Sequence, residues 1–442
     1  MSDLFTRHQA VMPAWVSPYY EQPLEILSGK GCRVFDADGK SYLDFFGGIL
    51  TNMLGYDVQE VREAVERQLS TGIVHTSTLY LIRSQVELAE KITKLSGLPD
   101  AKVFFTNSGT EANETALLLA THARGSDQVL ALRNSYHGRS YGASAVTGNR
   151  RWKNSSLSPL NVHYLHGTDR ESFPWLTDEA YARFCVEDLR DCLDTALASD
   201  VACLIAEPIQ GVGGFTAVPD GLFKDFKEVL DDRGILLISD EVQTGWGRTG
   251  ESFWGIQAHG VTPDAMTFAK GLGNGFAIGG VVARGELLDS LPAQGISTFG
   301  GNPLSTTAAN ATLDYLLSHH LQAHVHRLGT KMIAALRTAA ERLPMVSAVR
   351  GKGFMFAIDL IEPATGKHSP TAAATVLEET RRRGLLVGKG GLHGSTLRMA
   401  PPLTLDDEEA DEGMTILIDA LDAVERERLA PSDRTGSRRH SA

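Results

Sequence analysis

Short apolar runs alternate with stretches of helical period through the middle of the chain. Val103–Thr106, Gln128–Leu132, Val201–Ala206, Ile235–Ser239, Met266–Ala269 and Ile278–Ala283 are apolar or β-branched and bounded by turn residues. That is the pattern of strands buried on both faces. Between them, Glu111–Ala123, Glu187–Ala198 and Gly221–Asp232 carry helical periodicity. Such alternation predicts an α/β fold on a mostly parallel sheet, with ligands beyond the strand carboxyl ends. The flanks read differently. Pro13, Pro18 and Pro23 precede a hairpin-like Arg33–Leu43 with Asp38-Gly39 at its turn. From about Thr306 the chain turns helical, then shows strand-like Phe354–Leu360 and Thr396–Met399. These shifts divide the chain into an N-terminal segment (1–60), a large domain (61–305), a small domain (306–428) with which the N-terminal segment packs, and a polar, locally basic tail (429–442) expected to be disordered.

Composition narrows the function classes. The 442 residues suffice for two or three domains, and 42% hydrophobic with 22% charged residues is a globular profile. A net charge of −12 argues against a general nucleic-acid backbone binder, though not against a local anion site. The 44 glycines, about a tenth of the chain, imply tight turns or close backbone approach. No apolar leader opens the sequence, and no run approaches the roughly 18–20 residues of a membrane span. The four cysteines are scattered without a CxxC pair, which fits a reducing compartment and no metal site. The expectation is a cytoplasmic enzyme with no membrane or nucleic-acid partner.

Three strand ends carry candidate chemistry. Val103–Thr106 runs into Asn107-Ser108-Gly109-Thr110-Glu111-Ala112-Asn113, where small hydroxyl residues around a glycine open a helix. N–H groups and hydroxyls at a positive helix end make an anion cup suited to phosphate. The plain alternative is a helix capped by Thr110. Ile235–Ser239 ends in Asp240-Glu241-Val242-Gln243-Thr244-Gly245, an acidic pair that could face a metal, a cationic ring or a helix start. Met266–Ala269 ends in Lys270, followed by Gly271-Leu272-Gly273-Asn274-Gly275. Lysines are seldom buried without a task, and a desolvated lysine has a lowered pKa and forms Schiff bases. The glycines lack the GxGxxG order of a dinucleotide site, and no Walker motif or HExxH is present. A phosphate cup, a carboxylate and a Schiff-base lysine together fit one cofactor, pyridoxal 5'-phosphate.

With those motifs stand Tyr136-His137-Gly138, Glu207-Pro208-Ile209-Gln210-Gly211, Ala269-Lys270-Gly271 and Thr298-Phe299-Gly300-Gly301-Asn302-Pro303. Taken together, from about Tyr19 to about Val424, the sequence resembles the class III pyridoxal-phosphate aminotransferases of fold type I. The resemblance implies a large domain on a mostly parallel seven-stranded sheet covered by helices, plus a smaller α+β domain. It implies that Lys270 carries the cofactor and shuttles the proton, and that Asp240 pairs with the pyridine nitrogen. Val242 and Tyr136 would cover the two ring faces, with Gln243 near the ring hydroxyl. Ser108, Gly109 and Thr110 would hold the phosphate, and Glu207 would orient the groups around Asp240 and Gln243. Thr298 resembles the threonine that reaches the phosphate of the neighbouring subunit, so a homodimer or a tetramer built from it is implied. His137 receives no definite task.

Two arginines resemble the family's carboxylate grips: Arg139 for a distal carboxylate or 2-oxoglutarate, and Arg398, in Thr396-Leu397-Arg398-Met399, for an α-carboxylate. In the 4-aminobutyrate and ornithine relatives a glutamate after Glu-Pro-x-Gln-Gly pairs with that second arginine; here the position is Val212. The absent gate favours the branch resembling alanine–glyoxylate aminotransferase type 2, with alanine, β-alanine or 3-aminoisobutyrate as donor and pyruvate or glyoxylate as acceptor. Phe45-Phe46-Gly47-Gly48-Ile49, His75-Thr76-Ser77-Thr78 and Asn302-Pro303 resemble that branch too, which makes Ile49 a candidate substrate contact. The usual Leu-Gly-His-x-His-Pro is replaced by Leu54-Gly55-Tyr56-Asp57-Val58-Gln59. The alternatives are a 4-aminobutyrate or ornithine-type enzyme using 2-oxoglutarate, a pyridoxal-phosphate phospho-lyase on a phosphorylated amino alcohol, and a cofactor-free Schiff-base enzyme.

Overall fold

The computed structural model describes residues 3–153, 155–197 and 200–429; apart from Leu429, the polar tail lies outside them. Seven strands form a central sheet: β1 (Ala101–Thr106), β2 (Gln128–Leu132), β3 (Asn161–Leu165), β4 (Val201–Ala206), β5 (Leu236–Asp240), β6 (Ala265–Phe268) and β7 (Gly279–Arg284). Their spatial order is β1-β7-β6-β5-β4-β2-β3. The five strands from β6 to β3 pair in parallel, while β7 runs antiparallel to β6 and β1. The carboxyl ends of six strands therefore lie along one edge. β2 and β4 are buried along their whole length, which is why their sequences read as continuous apolar runs.

Three elements differ from the sequence reading. β3 does not show as an apolar run because it is an edge strand, half-buried, with His163 in its middle. β5 ends on Asp240 itself, one residue later than expected. The helix expected at Glu187–Ala198 begins at Asp178, where Thr177 Oγ1 accepts the N–H of Ala180, and passes at Cys192–Ala196 into a single π-turn.

The helix Gly109–Arg124 follows β1. It buries Ala112, Asn113, Ala116, Leu117, Leu119 and Ala120, the i, i+3, i+4 stripe of a core-facing helix. Its cap is Ser108 and not Thr110: Ser108 Oγ accepts the N–H of Glu111 at 3.3 Å, and Glu111 Oε2 reaches back to the N–H of Asn107 at 2.6 Å. Thr110 is thereby free for other contacts.

The N-terminal strands Ile26–Lys30, Arg33–Asp36 and Ser41–Asp44 form an antiparallel sheet that Leu385–Leu386 extends in parallel. A five-stranded sheet holds Val346–Lys352, Met355–Glu362, Lys367–His368, Gly388–Gly390 and Thr396–Met399. The two ends of the chain thus meet through strand pairing. A continuous buried cluster runs from Cys32 to Val424. Among the described residues, no helix is long and apolar enough to cross a membrane.

Candidate active site

The strand ends along the shared edge enclose a cavity of about 380 Å³. Ser108, Gly109, Thr110, Tyr136, Arg139, Glu207, Asp240, Val242, Gln243 and Lys270 all line it. Thr298 and Ile49 do not: both are exposed on the surface of the chain. Arg398 lies just behind the wall, where its Nη1 donates to the carbonyl of Gly211 at 3.0 Å.

Asp240 sits at the end of β5, almost fully buried, with its carboxylate fixed on three sides. Oδ1 accepts the N–H of Val242 at 3.1 Å. Oδ2 accepts Asn113 Nδ2 at 2.8 Å and lies 2.8 Å from His137 Nδ1. Asn113 is itself saturated, donating to the carbonyl of His137 and accepting from Thr267 Oγ1. His137 Nε2 is buried without a hydrogen-bond partner. Sequence reasoning gave neither residue a task; the available signal was a polar Asn113 on the buried stripe of an apolar helix. The neighbouring Glu241 points away and accepts from Ser239, Thr244 and the N–H groups of Gly255 and Ile256, so it holds a loop.

Lys270 follows β6 with a left-handed φ of +46°, a backbone conformation that costs about 1–2 kcal/mol for a residue with a Cβ. Burial lowers its pKa and Arg398 lowers it further, while Asp240 and Glu207 pull it back up. Among the described residues, no hydrogen bond or ion pair holds its ammonium. Glu207, buried, accepts the N–H groups of Tyr136 and Gly211, both at 2.9 Å. Burial raises its pKa and the nearby Asp240 adds to this, against the opposing effect of His137. Gly211 is needed for contact reasons: a Cβ there would stand 2.2 Å from the Gln243 carboxamide. Gln243 Oε1 is buried and unpartnered, a polar atom left for a ligand.

Thr110 Oγ1 accepts the N–H groups of Arg139 and Ser140, both at 3.1 Å, so the cup and the Tyr136–Ser140 loop are locked together. Gly138 permits this, since a Cβ there would meet that hydroxyl at 2.5 Å. Arg398 is buried between two aromatic rings, 5.2 Å from Phe46 and 5.5 Å from Phe215. Among the described residues its acceptors are the carbonyls of Gly211 and Lys389, and its Nε has none. Desolvation lowers its pKa. Among the described residues, no carboxylate pairs with it. The departure at Leu54–Gln59 also has a local account: Tyr56 donates its hydroxyl to the buried Asp44 Oδ2 at 2.6 Å.

Residues 16–421 match the sequence family described as aminotransferase class-III. The chain belongs to that family. A relative from Arabidopsis thaliana, alanine–glyoxylate aminotransferase 2 homolog 2, mitochondrial, is 36% identical over 408 residues, 91% of this chain and 83% of the relative. A phospholyase from Arthrobacter, solved with phosphoethanolamine, superposes with a TM-score of 0.87 at 33% identity, covering 95% of this chain and 100% of that one. An amine transaminase from an uncultivated Pseudomonas species, solved with pyridoxal phosphate bound, superposes with a TM-score of 0.85 at 30% identity, covering 94% and 98%. As a class-III aminotransferase the protein is a pyridoxal 5'-phosphate enzyme. The cavity fits that group: a half-buried lysine with no partner among the described residues, an orphaned Gln243 oxygen, a fixed carboxylate and a hydroxyl-lined helix start.

Proposed function

We propose that the enzyme moves an amino group from alanine, β-alanine or 3-aminoisobutyrate to pyruvate or glyoxylate in two half-reactions. The observation that carries this reading is Arg398, a buried guanidinium without a carboxylate partner, beside Val212 where a gating glutamate would stand. A buried, under-bonded guanidinium is costly until an anion meets it, and a planar carboxylate matches its fork. Bound pyridoxal phosphate supplies an aldehyde for amines and a ring that draws electrons from the substrate Cα.

The chain's own residues do the rest. Lys270, its charged form disfavoured by burial, would hold the cofactor and, once released by the substrate amine, would serve as the base that takes and gives back the substrate Cα proton. Such a positioned base is worth roughly 10²–10⁴-fold. Asp240, held by Asn113 and His137, would pair with the ring nitrogen and favour its protonated form. Val242, Tyr136 and Gln243, which line the cavity, would hold the cofactor ring and its hydroxyl, and Glu207 fixes the turns that carry Tyr136 and Gly211. Ser108, Gly109 and Thr110 take the phosphate. Arg398 takes an α-carboxylate and Arg139 a distal one, while Ile49 stays outside the cavity.

The functional unit in this reading is a homodimer, with Thr298 serving the partner's phosphate. The band Ile73, Val74, Leu79, Tyr80 and Leu81 is exposed, as are Ile296 and Phe299. A patch of that kind supports a subunit interface, and sedimentation as a monomer would remove this part. A cytoplasmic setting belongs to the same proposal, although the Arabidopsis relative is named mitochondrial. The likeness to the phospholyase supports a second reading, elimination from a phosphorylated amino alcohol. A panel of donors and keto-acids decides between them. Alanine or β-alanine with pyruvate or glyoxylate should give the exchanged keto-acid. Phosphate and ammonia released from phosphoethanolamine without any acceptor would establish the lyase instead.

A further inference from the structure

Arg139 is held at its base and loose at its tip. Its N–H is fixed on Thr110 Oγ1, yet among the described residues no carboxylate or carbonyl bonds its guanidinium. What meets the guanidinium is the indole of Trp15, whose ring centre lies 5.1 Å from its central carbon. Trp15 belongs to a segment with little other attachment. The helix Asp3–Val11 before it buries no residue, and Trp15 itself is 70% exposed. The segment is tied to itself, with the N–H of Val16 on the carbonyl of Pro13 at 2.8 Å and His8 Nε2 3.2 Å from the carbonyl of Val16. It is tied to the body at Tyr19, whose hydroxyl donates to the carbonyl of Lys389 at 2.8 Å. Trp15 is therefore presented on a short turn, next to an arginine that lines the cavity.

An aromatic face orients a guanidinium without consuming its donors. A carboxylate partner would neutralise Arg139, and a carbonyl would occupy its N–H groups. An indole leaves the charge and the N–H edge facing outward. We propose that Trp15 is a specificity-determining residue: it holds the Arg139 guanidinium in place at the cavity mouth for the distal carboxylate of an ω-amino acid. This rests on the reading of Arg139 as the distal-carboxylate site. The substrate class it selects is a short amino acid whose carboxylate is not on the reacting carbon, such as β-alanine, in contrast to L-alanine, whose carboxylate would go to Arg398.

The test compares KM and kcat for β-alanine and L-alanine in the holoenzyme and in Trp15→Ala, Trp15→Phe and Arg139→Ala. An exposed cation–π contact is worth about 0.5–1 kcal/mol and a desolvated one about 2. Trp15→Ala should raise KM for β-alanine by roughly 3- to 30-fold on that scale, with kcat and the KM for L-alanine unchanged. Trp15→Phe, which keeps an aromatic face, should recover most of the loss. Arg139→Ala should raise the same KM at least as much. If Arg139→Ala raises it while Trp15→Ala does not, the proposal fails and the reading of Arg139 stands. If Trp15→Ala weakens both donors equally, its role is structural and the proposal fails. If Arg139→Ala leaves β-alanine untouched, or β-alanine is no donor at all, the underlying reading fails and the proposal with it.

Discussion

A buried arginine usually meets an acid, and among the described residues Arg398 does not. It is packed between Phe46 and Phe215 and bonds backbone carbonyls, with Nε unpartnered. Gly390 backs onto it so closely that a Cβ there would stand 2.9 Å from Nε. The pocket is therefore built around a fixed guanidinium, which in the proposed reading meets an anion from outside. Val212, half-buried, carries the carbonyl that accepts the N–H of Gly391, in the same pair of loops. Val212→Glu would bring a carboxylate to the guanidinium and make substrate compete with it. The KM for pyruvate should rise about tenfold or more, equivalent to at least ~1.4 kcal/mol, with little change in stability. An unchanged KM in steady-state assays would show that Arg398 is not the carboxylate grip. The value of Val212 was legible in sequence because the motif before it fixed its position. The aromatic sandwich was not, since Phe46 and Phe215 lie far from Arg398 in sequence and meet it only in the fold.

At the scale of elements, the turn after Asp44 places Thr51 at the cavity and Phe46 on Arg398. Gly47, Gly48, Ile49 and Leu50 all have left-handed φ, between +53° and +66°. Glycine takes that conformation freely, but Ile49 and Leu50 cost about 1–2 kcal/mol each. The buried Asp44 holds the strained turn in place. Its Oδ1 accepts the N–H groups of Phe46 and Gly47 at 2.8 and 3.0 Å, and its Oδ2 accepts the Tyr56 hydroxyl. The turn then sends Phe46 onto Arg398, Ile49 outward and Thr51 into the cavity. The replacement of the family's histidine stretch by Tyr56 thus has a structural use, which sequence could not reveal because Tyr56 and Asp44 meet only when the turn between them folds back. Tyr56→Phe leaves a buried carboxylate one donor short. Urea unfolding should show a loss of about 1–3 kcal/mol, accompanied by a higher KM for keto-acids as Phe46 shifts. Wild-type stability and KM together would show that the turn holds without this bond.

At the scale of the whole molecule, the sheet was legible because parallel strands covered on both faces must be apolar throughout, as β2 and β4 are. The cavity was legible because ligands gather at strand carboxyl ends, where Ser108, Glu207, Asp240 and Lys270 all stand. What escaped the sequence depends on edge position or on through-space pairing: β3 with its polar His163, the Asn113–Asp240–His137 network, and Trp15 on Arg139. These parts serve one claim, that the enzyme stores an amino group between two separate substrates. Rapid mixing of the holoenzyme with alanine or β-alanine in the absence of any keto-acid tests it most directly. The visible absorbance of the bound cofactor should fall in a single turnover, one equivalent of keto-acid should form, and pyruvate or glyoxylate should then restore the spectrum. Lys270→Ala, which can still hold the cofactor non-covalently, should do neither. No spectral change with either donor, or a change with no keto-acid formed and no recovery on adding acceptor, would contradict the account.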